Sequence, residues 1–94
     1  MKYTLKLYIS GKTARSEHAI RNLRHICADN LDAKYEIEII DILEHPQLAE
    51  DERILATPTL IKSLPLPLRR LIGDLSETEK VLVGLDIKSV MTTS

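Results

Sequence analysis

Residues 56–70 read ATPTLIKSLPLPLRR and contain three of the four prolines in the chain. Thr57-Pro58-Thr59 leads into residues 59–63, whose apolar and β-branched side chains favour a short strand. Residues 69–72, followed by Gly73 and Asp74 as turn residues, favour another strand, although Pro65 or Pro67 can also start a helix there. The structure of this stretch therefore depends on the segments around it.

The segment before this stretch has a clear pattern. Residues 3–9 alternate within a β-rich composition and stop at Ser10-Gly11, which predicts a strand. Apolar residues then recur every three or four positions between Ala19 and Leu31, behind a cap at Thr13 or Ser16, which predicts an amphipathic helix. Residues 35–42 predict a second strand. A strand–helix–strand series with a crossover of this length favours a right-handed parallel unit.

The segments after the second strand complete a single domain over residues 1–94, since a chain of this length has room for one core. Pro46 opens a helix that is predicted to continue to Leu55, before Pro58 stops it. Ser76 and Glu79 have the spacing of a capping box, so a last helix is expected from residue 77. The order βαβαββα is that of an α/β thioredoxin-like domain, in which a proline usually precedes the third strand, as Pro58 does here.

The C-terminal part of the chain fits more than one structure. Residues 80–87 can continue the last helix, but Gly84 inside a helix costs about 1 kcal/mol relative to alanine. The alternation of Val81, Val83 and Leu85 also fits a strand. Because residues 69–72 are ambiguous as well, the part from about residue 59 to residue 90 is compatible with two folds of similar free energy, the property of a switch.

Candidate catalytic and metal-binding residues do not assemble into a site. Cys27 falls late in the first predicted helix, on its apolar face, so we expect a buried hydrophobe rather than the low-pKa thiolate at a helix start that thiol catalysis needs. His18, His25 and His45 are scattered and have no second cysteine beside them. Three unclustered glycines make no phosphate-binding loop. We therefore expect no enzymatic activity, no cofactor and no metal.

Composition and charge restrict the class of partner. A single cysteine cannot form an internal disulfide, and only three tyrosines are available to stack on nucleic acid, which we do not expect as a partner. No apolar run predicts a signal peptide or a membrane span, so we expect a cytoplasmic protein. Charge is segregated along the chain: residues 29–52 carry nine acidic groups and one basic group, and residues 53–72 carry four basic groups and no acidic group. Such blocks can orient protein partners.

The chain resembles the KaiB family along nearly its whole length. The residues that carry the resemblance are LKLYISG at 5–11, IDIL at 40–43, PQLAE at 46–50, ILATPTL at 54–60, RRLIGDLS at 69–76 and EKVLVGLD at 79–86. The resemblance implies a metamorphic binding module without enzymatic activity. In this family a thioredoxin-like form docks on the hexameric ATPase KaiC and exchanges with a tetrameric ground state of order βαββααβ. KaiA and a SasA-like histidine kinase are further partners in a circadian clock.

Positions that match the family imply roles for individual residues. Basic positions that contact KaiC correspond to Lys62, Arg69 and Arg70, and helix positions on the same face correspond to Pro46, Gln47, Glu50 and Arg53. Positions that bias the equilibrium between the two folds correspond to Tyr3, Gly84 and Asp86. Prolines whose isomer differs between the folds correspond to Pro58, Pro65 and Pro67, and an isomerisation barrier of about 20 kcal/mol would make the exchange slow.

Departures from the family pattern concern the resting state. Lys12-Thr13-Ala14 stands where clock members have Asn-Thr-Pro, His18 replaces an arginine, Ser89 replaces a tyrosine, and the acidic tail is missing. Because the tyrosine and the tail support the tetramer, the resemblance implies a dimer or a thioredoxin-like monomer at rest. The alternative function is that of a KaiB paralogue acting in stress adaptation without a full clock.

Overall fold

The computed structural model of the protein describes residues 2–31 and 34–87. The elements in chain order are β1 (Tyr3–Ile9), α1 (Ala14–Asn30), β2 (Tyr35–Asp41), α2 (Pro46–Asp51), β3 (Thr59–Leu64), β4 (Arg69–Ile72) and α3 (Thr78–Gly84). This order confirms the predicted βαβαββα series. The part that is compatible with two folds was predicted from about residue 59 to residue 90, and its last three positions, which include Ser89, lie outside the described residues. No helix among the described residues has the length and hydrophobicity to cross a membrane.

The four strands form one sheet in the order β2-β1-β3-β4. β1 pairs in parallel with β2, whereas β3 is antiparallel to both β1 and β4, so the two edge strands β2 and β4 run in the same direction. Residues that pair across neighbouring strands share a face of the sheet. One row across the sheet consists of Glu38, Lys6, Ile61 and Arg70. The adjacent row on the opposite face consists of Ile39, Leu7, Leu60 and Leu71.

The two faces of the sheet are covered differently. α1 and α3 pack on one face, which we call the helix face, and enclose the larger core, in which Leu5, Leu7 and Leu60 are fully buried. Full burial of a side chain of this size contributes about 1.5–3 kcal/mol. The opposite face has a smaller cluster of Tyr8, Ile40 and Ile61, against which Ile42 and Ile54 pack. The segment after α2 therefore supplies the cover on that side.

The start of α1 shows which of the two candidates, Thr13 or Ser16, caps the helix. Thr13 is the N-cap, and its Oγ1 accepts a hydrogen bond from the backbone N–H of Ser16 at 3.1 Å. Ser16 is buried within the first turn, and its Oγ accepts a hydrogen bond from Thr13 Oγ1 at 3.0 Å, so Ser16 is not the cap. A side-chain cap of this type stabilises a helix by about 1 kcal/mol. Ala19, Leu23 and Ile26 follow on the buried face, as their spacing predicts.

Two predicted helix boundaries were wrong. α2 ends at Asp51 rather than Leu55, because the chain turns into the left-handed region at Arg53, with φ 54°. α3 begins at Thr78, and the predicted capping box does not form. The backbone N–H of Ser76 instead donates to Asp74 Oδ1 at 3.1 Å, so the preceding aspartate holds this turn. The segment that fitted both helix and strand is helical as far as Gly84.

Candidate partner-binding surface

α2 is an exposed helix whose predicted contact residues all face solvent. None of its residues is buried, and Pro46 occupies the first helical turn, where its missing N–H leaves no hydrogen bond unmade. Gln47 Nε2 donates to Asp51 Oδ1 at 2.8 Å, one turn further along. Pro46, Gln47 and Glu50 are all exposed. The short helix therefore offers polar and apolar atoms to a partner rather than to the core.

Arg53 follows α2 in a strained conformation. The N–H of Arg53 bonds to Glu50 O at 3.1 Å, and the N–H of Ile54 bonds to Ala49 O at 2.8 Å. This pair of bonds is a Schellman motif with Arg53 at the left-handed position, which glycine usually occupies. A left-handed residue with a β-carbon costs about 1–2 kcal/mol. The side chain of Arg53 is therefore exposed to solvent at a position whose left-handed backbone lowers the stability of the fold.

Arg70 joins β4 to this motif. Arg70 Nη1 donates to Arg53 O at 3.1 Å, and Nη2 donates to Glu52 O at 2.9 Å. These are charge-assisted hydrogen bonds, which are stronger than neutral ones. Because Arg70 and Arg53 are joined in this way, α2, the turn after it and β4 form one continuous surface. We call Pro46, Gln47, Glu50, Arg53 and Arg70 the docking surface.

The structure does not place the other two predicted basic contact residues on this surface. Arg69 is exposed, but it lies next to Arg70 in a strand and therefore points to the opposite face of the sheet. Lys62 pairs with Arg69 and Leu5, both on the helix face, and its side chain is only 1% exposed. A partner contact of Lys62 stays a prediction, but this form buries its side chain, because the alternation of β3 puts Lys62 on the same side as Leu60.

Lys62 instead lies near Tyr3 and within electrostatic range of Asp86, two of the residues that were expected to bias the fold equilibrium. Its Nζ lies 6.0 Å from the centre of the Tyr3 ring, within the range of a cation–π contact. Burial lowers the pKa of Lys62, the carboxylate of Asp86 opposes this shift, and Arg69 adds to it. Tyr3, Lys62 and Asp86 therefore form one electrostatic cluster, which joins the start of β1 and the middle of β3 to the end of α3.

Asp86 also occupies a left-handed position. The N–H of Asp86 bonds to Val83 O at 3.1 Å and that of Ile87 to Leu82 O at 2.8 Å, which is a second Schellman motif, with Asp86 at φ 57°. Ile87 beyond it is buried in the main core. Aspartate tolerates this conformation better than most residues with a β-carbon. The motif therefore ends α3, and the side chain of Ile87, which follows it, points into the core.

Gly84 and the prolines lie near the same elements. A β-carbon built on Gly84 would be 2.7 Å from Leu71 Cδ2, so α3 approaches β4 more closely than an alanine allows without movement. The peptide bonds preceding Pro58, Pro65 and Pro67 are cis. Pro58 is buried at the start of β3, whereas Pro67 is exposed in the connection between β3 and β4. Gly84 therefore lies at the contact between α3 and β4, whereas Pro58, Pro65 and Pro67 lie before and after β3.

The thiol and imidazole groups are not arranged for chemistry. Cys27 is fully buried in α1, as predicted, and burial raises the pKa of its thiol to about 12. A thiol with this pKa is protonated at neutral pH and is a poor nucleophile. His18 and His25 are exposed on the outer side of α1. Among the described residues, no group of three or more His, Cys, Asp or Glu side chains is placed to hold a metal ion.

The two Schellman motifs and the Lys62 cluster are features that sequence reasoning missed. Strand parity was a usable signal for Lys62, since it stands two residues after the buried Leu60. Arg53 carried no sequence signal for a left-handed position, and Asp86 carried only a weak one, because neither is a glycine or an asparagine. The hydrogen bonds from Arg70 to the carbonyls after α2 connect residues 17 and 18 positions apart and leave no local pattern.

Comparison with known proteins identifies the family. A family model described as the KaiB domain matches residues 6–87. The chain is 58% identical over 86 residues to the circadian clock protein KaiB3 of Synechocystis sp., covering 92% of this chain and 84% of that protein. It is 54% identical over 85 residues to the circadian clock oscillator protein KaiB of Synechococcus elongatus, covering 90% of this chain and 83% of that protein.

Solved structures share the thioredoxin-like fold. The N-terminal domain of SasA from Synechococcus elongatus superposes with a TM-score of 0.75 at 21% identity, covering 98% of this chain and 90% of that domain. Mitochondrial thioredoxin 3 from Saccharomyces cerevisiae superposes with a TM-score of 0.71 at 14% identity, covering 90% of this chain and 77% of that one. These identities establish a common fold and nothing finer. The domain match over residues 6–87, together with relatives that are more than half identical over most of both chains, shows that this chain belongs to the KaiB family.

Proposed function

We propose that this chain is a binding partner of a KaiC-type hexameric ATPase in a circadian clock, that it has no enzymatic activity of its own, and that it acts in the cytoplasm. In the thioredoxin-like form the docking surface contacts the ATPase and alters its phosphorylation and ATPase cycle. The clock proteins among the relatives support this role. The fold shared with the SasA N-terminal domain supports competition between this chain and a SasA-like kinase for one partner, and KaiA is a further partner.

The strained conformation of Arg53 carries the proposal. A glycine at this position would relieve the left-handed cost, yet the chain has an exposed arginine there, whose carbonyl is held by Arg70. Strain of this kind accumulates at functional sites when the side chain has a use that the backbone does not provide. Cationic groups at this position would pair with acidic groups on the ATPase ring and orient the encounter.

Substitution of Arg53 separates binding from folding. Arg53→Gly removes the guanidinium and relieves the strain, so we expect it to stabilise the fold by about 1 kcal/mol relative to Arg53→Ala. If Arg53 contacts the ATPase, both variants lose affinity to the same extent. The measurement is co-elution with the cognate KaiC-type ATPase and ATP in size-exclusion chromatography after hours of incubation. Arg21→Ala, on the exposed outer side of α1, is the matched control.

Two results would contradict the proposal. One is that the wild-type chain and the Arg21→Ala control fail to co-elute with the ATPase at any incubation time. The other is that Arg53→Gly and Arg53→Ala bind as well as the wild type while their unfolding free energies differ as expected. Thiol-based activity is disfavoured, because the only cysteine is buried and protonated.

The proposal includes exchange with a second fold. We propose that a dimeric or tetrameric ground state of order βαββααβ forms by rearrangement of the part from about residue 59 to residue 90, and that the positions biasing this exchange are Tyr3, Pro58, Pro65, Pro67, Gly84 and Asp86. The cluster of Tyr3, Lys62 and Asp86 supports this, since it brings two of these positions together around Lys62 on β3. Two sets of amide resonances that interconvert over minutes are expected, and a single set under all conditions would exclude exchange.

A further inference from the structure

The turn between β4 and α3 has an unusual backbone. Gly73 has φ 134°, and Leu75 is left-handed at φ 63° although it has a β-carbon. A left-handed conformation is unfavourable for a bulky side chain. The side chain of Leu75 is nevertheless buried in the main core. Because such strain clusters at binding sites and switch regions, this turn is a place to look for a ligand.

Three hydrogen bonds hold the turn in place, two of them to distant parts of the chain. The N–H of Gly73 donates to Pro58 O at 2.9 Å, just before β3. Asn22 Nδ2 on α1 donates to Asp74 O at 2.8 Å. The N–H of Ser76 donates to Asp74 Oδ1 at 3.1 Å. The shape of the turn is therefore fixed by the fold, and a ligand that binds there does not have to order it.

A cavity of about 230 Å³ lies beside this turn, between the end of β4 and the start of α3. Its apolar lining includes Leu71, Leu75 and Val81. Gly73 also lines the cavity, and a β-carbon built on it would meet no atom within 4 Å. A pocket for a drug-sized ligand has about 300–1,000 Å³. This cavity is therefore sized for a smaller molecule, such as one with a single six-membered ring.

The polar part of the cavity lining is negative. The side chain and the backbone N–H of Ser76 lower the pKa of Asp74, so this carboxyl is ionised at neutral pH. Basic side chains of α1 that do not line the cavity act in the same direction: Arg15 and His18. Glu77 and Lys80 also line the cavity, and Lys80 Nζ lies 3.1 Å from Glu77 Oε2. Because this lysine is paired, the carboxylate of Asp74 is left in excess.

We propose that this cavity binds a small molecule with an apolar body and a primary amine, whose body contacts Leu71, Leu75 and Val81 and whose ammonium group pairs with Asp74. A charge-assisted hydrogen bond between ammonium and carboxylate is stronger than a neutral one. An anion of the same shape would be opposed by Asp74, which gives the site its selectivity. The regulatory consequence rests on the exchange proposed above: since β4 and α3 supply the lining, the ligand stabilises the thioredoxin-like form.

Titration with benzylamine tests the site without the ATPase, so a failure to bind leaves the docking proposal untouched. In NMR spectra of the full chain, the amide resonances of residues 71–77 and of Val81 are expected to shift along one saturating curve. Benzyl alcohol has the same ring without the charge and should bind about fivefold more weakly, because it makes only a neutral hydrogen bond. Benzoate, with the opposite charge, should bind more weakly still.

Two variants separate the charge of Asp74 from its structural role. Asp74→Asn keeps the oxygen that accepts from Ser76, so it should weaken benzylamine binding about fivefold and leave benzyl alcohol unchanged. Glu17→Gln, on the exposed outer side of α1, is the matched control and should bind benzylamine as the wild type does. The proposal is overturned if benzylamine gives no saturating shift at these residues, if benzoate binds as tightly as benzylamine, or if the two variants bind benzylamine equally.

Discussion

Replacing Gly84 by alanine is expected to destabilise the thioredoxin-like form, although alanine is the better helix former. Alanine in the last turn of α3 gains about 1 kcal/mol in helix propensity. The added β-carbon, however, would lie 2.7 Å from Leu71 Cδ2 and 3.2 Å from Leu71 Cδ1. Leu71 is half-buried and packs against the main core, so its tip has limited room to move. Overpacking of this kind costs about 1–3 kcal/mol, which leaves a net loss of about 1 kcal/mol.

A double-mutant cycle with Leu71→Ala isolates the contact. Leu71→Ala removes all three side-chain atoms that the new β-carbon would approach, so in this background Gly84→Ala should stabilise the fold by the full helix gain of about 1 kcal/mol. The effect of the same substitution thus changes sign between the two backgrounds, with a coupling energy of about 2 kcal/mol. Urea unfolding followed by far-UV circular dichroism measures each free energy, and sedimentation confirms that all four chains have the same oligomeric state.

An equal effect of Gly84→Ala in both backgrounds would refute this explanation. The result also bears on the fold equilibrium. If Gly84→Ala enriches the thioredoxin-like form while lowering its stability toward unfolding, the substitution must destabilise the alternative fold by a larger amount. Stability and population then move in opposite directions, which only a chain with two competing folds can show.

Three further predictions concern Lys62, Asp86 and Cys27. Burial lowers the pKa of Lys62 in the folded chain below its ordinary 10.5, so between the folded and the unfolded pKa the unfolded chain binds more protons and the stability of the wild type rises with pH. Lys62→Met removes the cost of burying the charge and should therefore be more stable than the wild type below this pH window. Urea unfolding should show that this difference in stability shrinks as the pH rises toward 10.5. Asp86→Arg places a long cationic side chain at the left-handed position near Lys62 and should lower the free energy of unfolding by about 1–2 kcal/mol. Asparagine tolerates the left-handed conformation, so Asp86→Asn should lower the free energy of unfolding by less than half of that amount. Cys27, with a pKa of about 12, should react with a disulfide reagent at pH 8 about 1,000-fold more slowly in the native chain than in urea, and comparable rates would show that α1 opens readily.

Sequence patterns predicted the fold well wherever a period was strong. β1 has the bounds that its alternation and the turn at Ser10-Gly11 predicted, whereas residues 69–72, which form β4, were compatible with either a strand or a helix. The end of α2 was not predictable, since Arg53 enters a conformation that arginine rarely adopts and that depends on distant hydrogen bonds from Arg70. The positions of Arg69 and Arg70 on opposite faces of the sheet were predictable, because successive side chains of a strand point to opposite faces. The docking surface required the tertiary structure, because β4 meets the end of α2 only in the folded chain.

β4 belongs both to the docking surface, through Arg70, and to the part of the chain that is proposed to exchange. Arg70 faces the docking surface and holds the turn after α2, while Leu71 beside it faces α3 and limits the space at Gly84. A partner that binds through Arg53 and Arg70 therefore stabilises the strand against which α3 packs. Any partner specific for this form stabilises it by about 2.7 kcal/mol at a free concentration one hundred times its dissociation constant. That amount exceeds the left-handed cost of Asp86 or of Arg53 taken singly. Such a partner would reverse any preference for another fold that is smaller than this amount, and Arg70 and Leu71 of β4 link its binding site to α3.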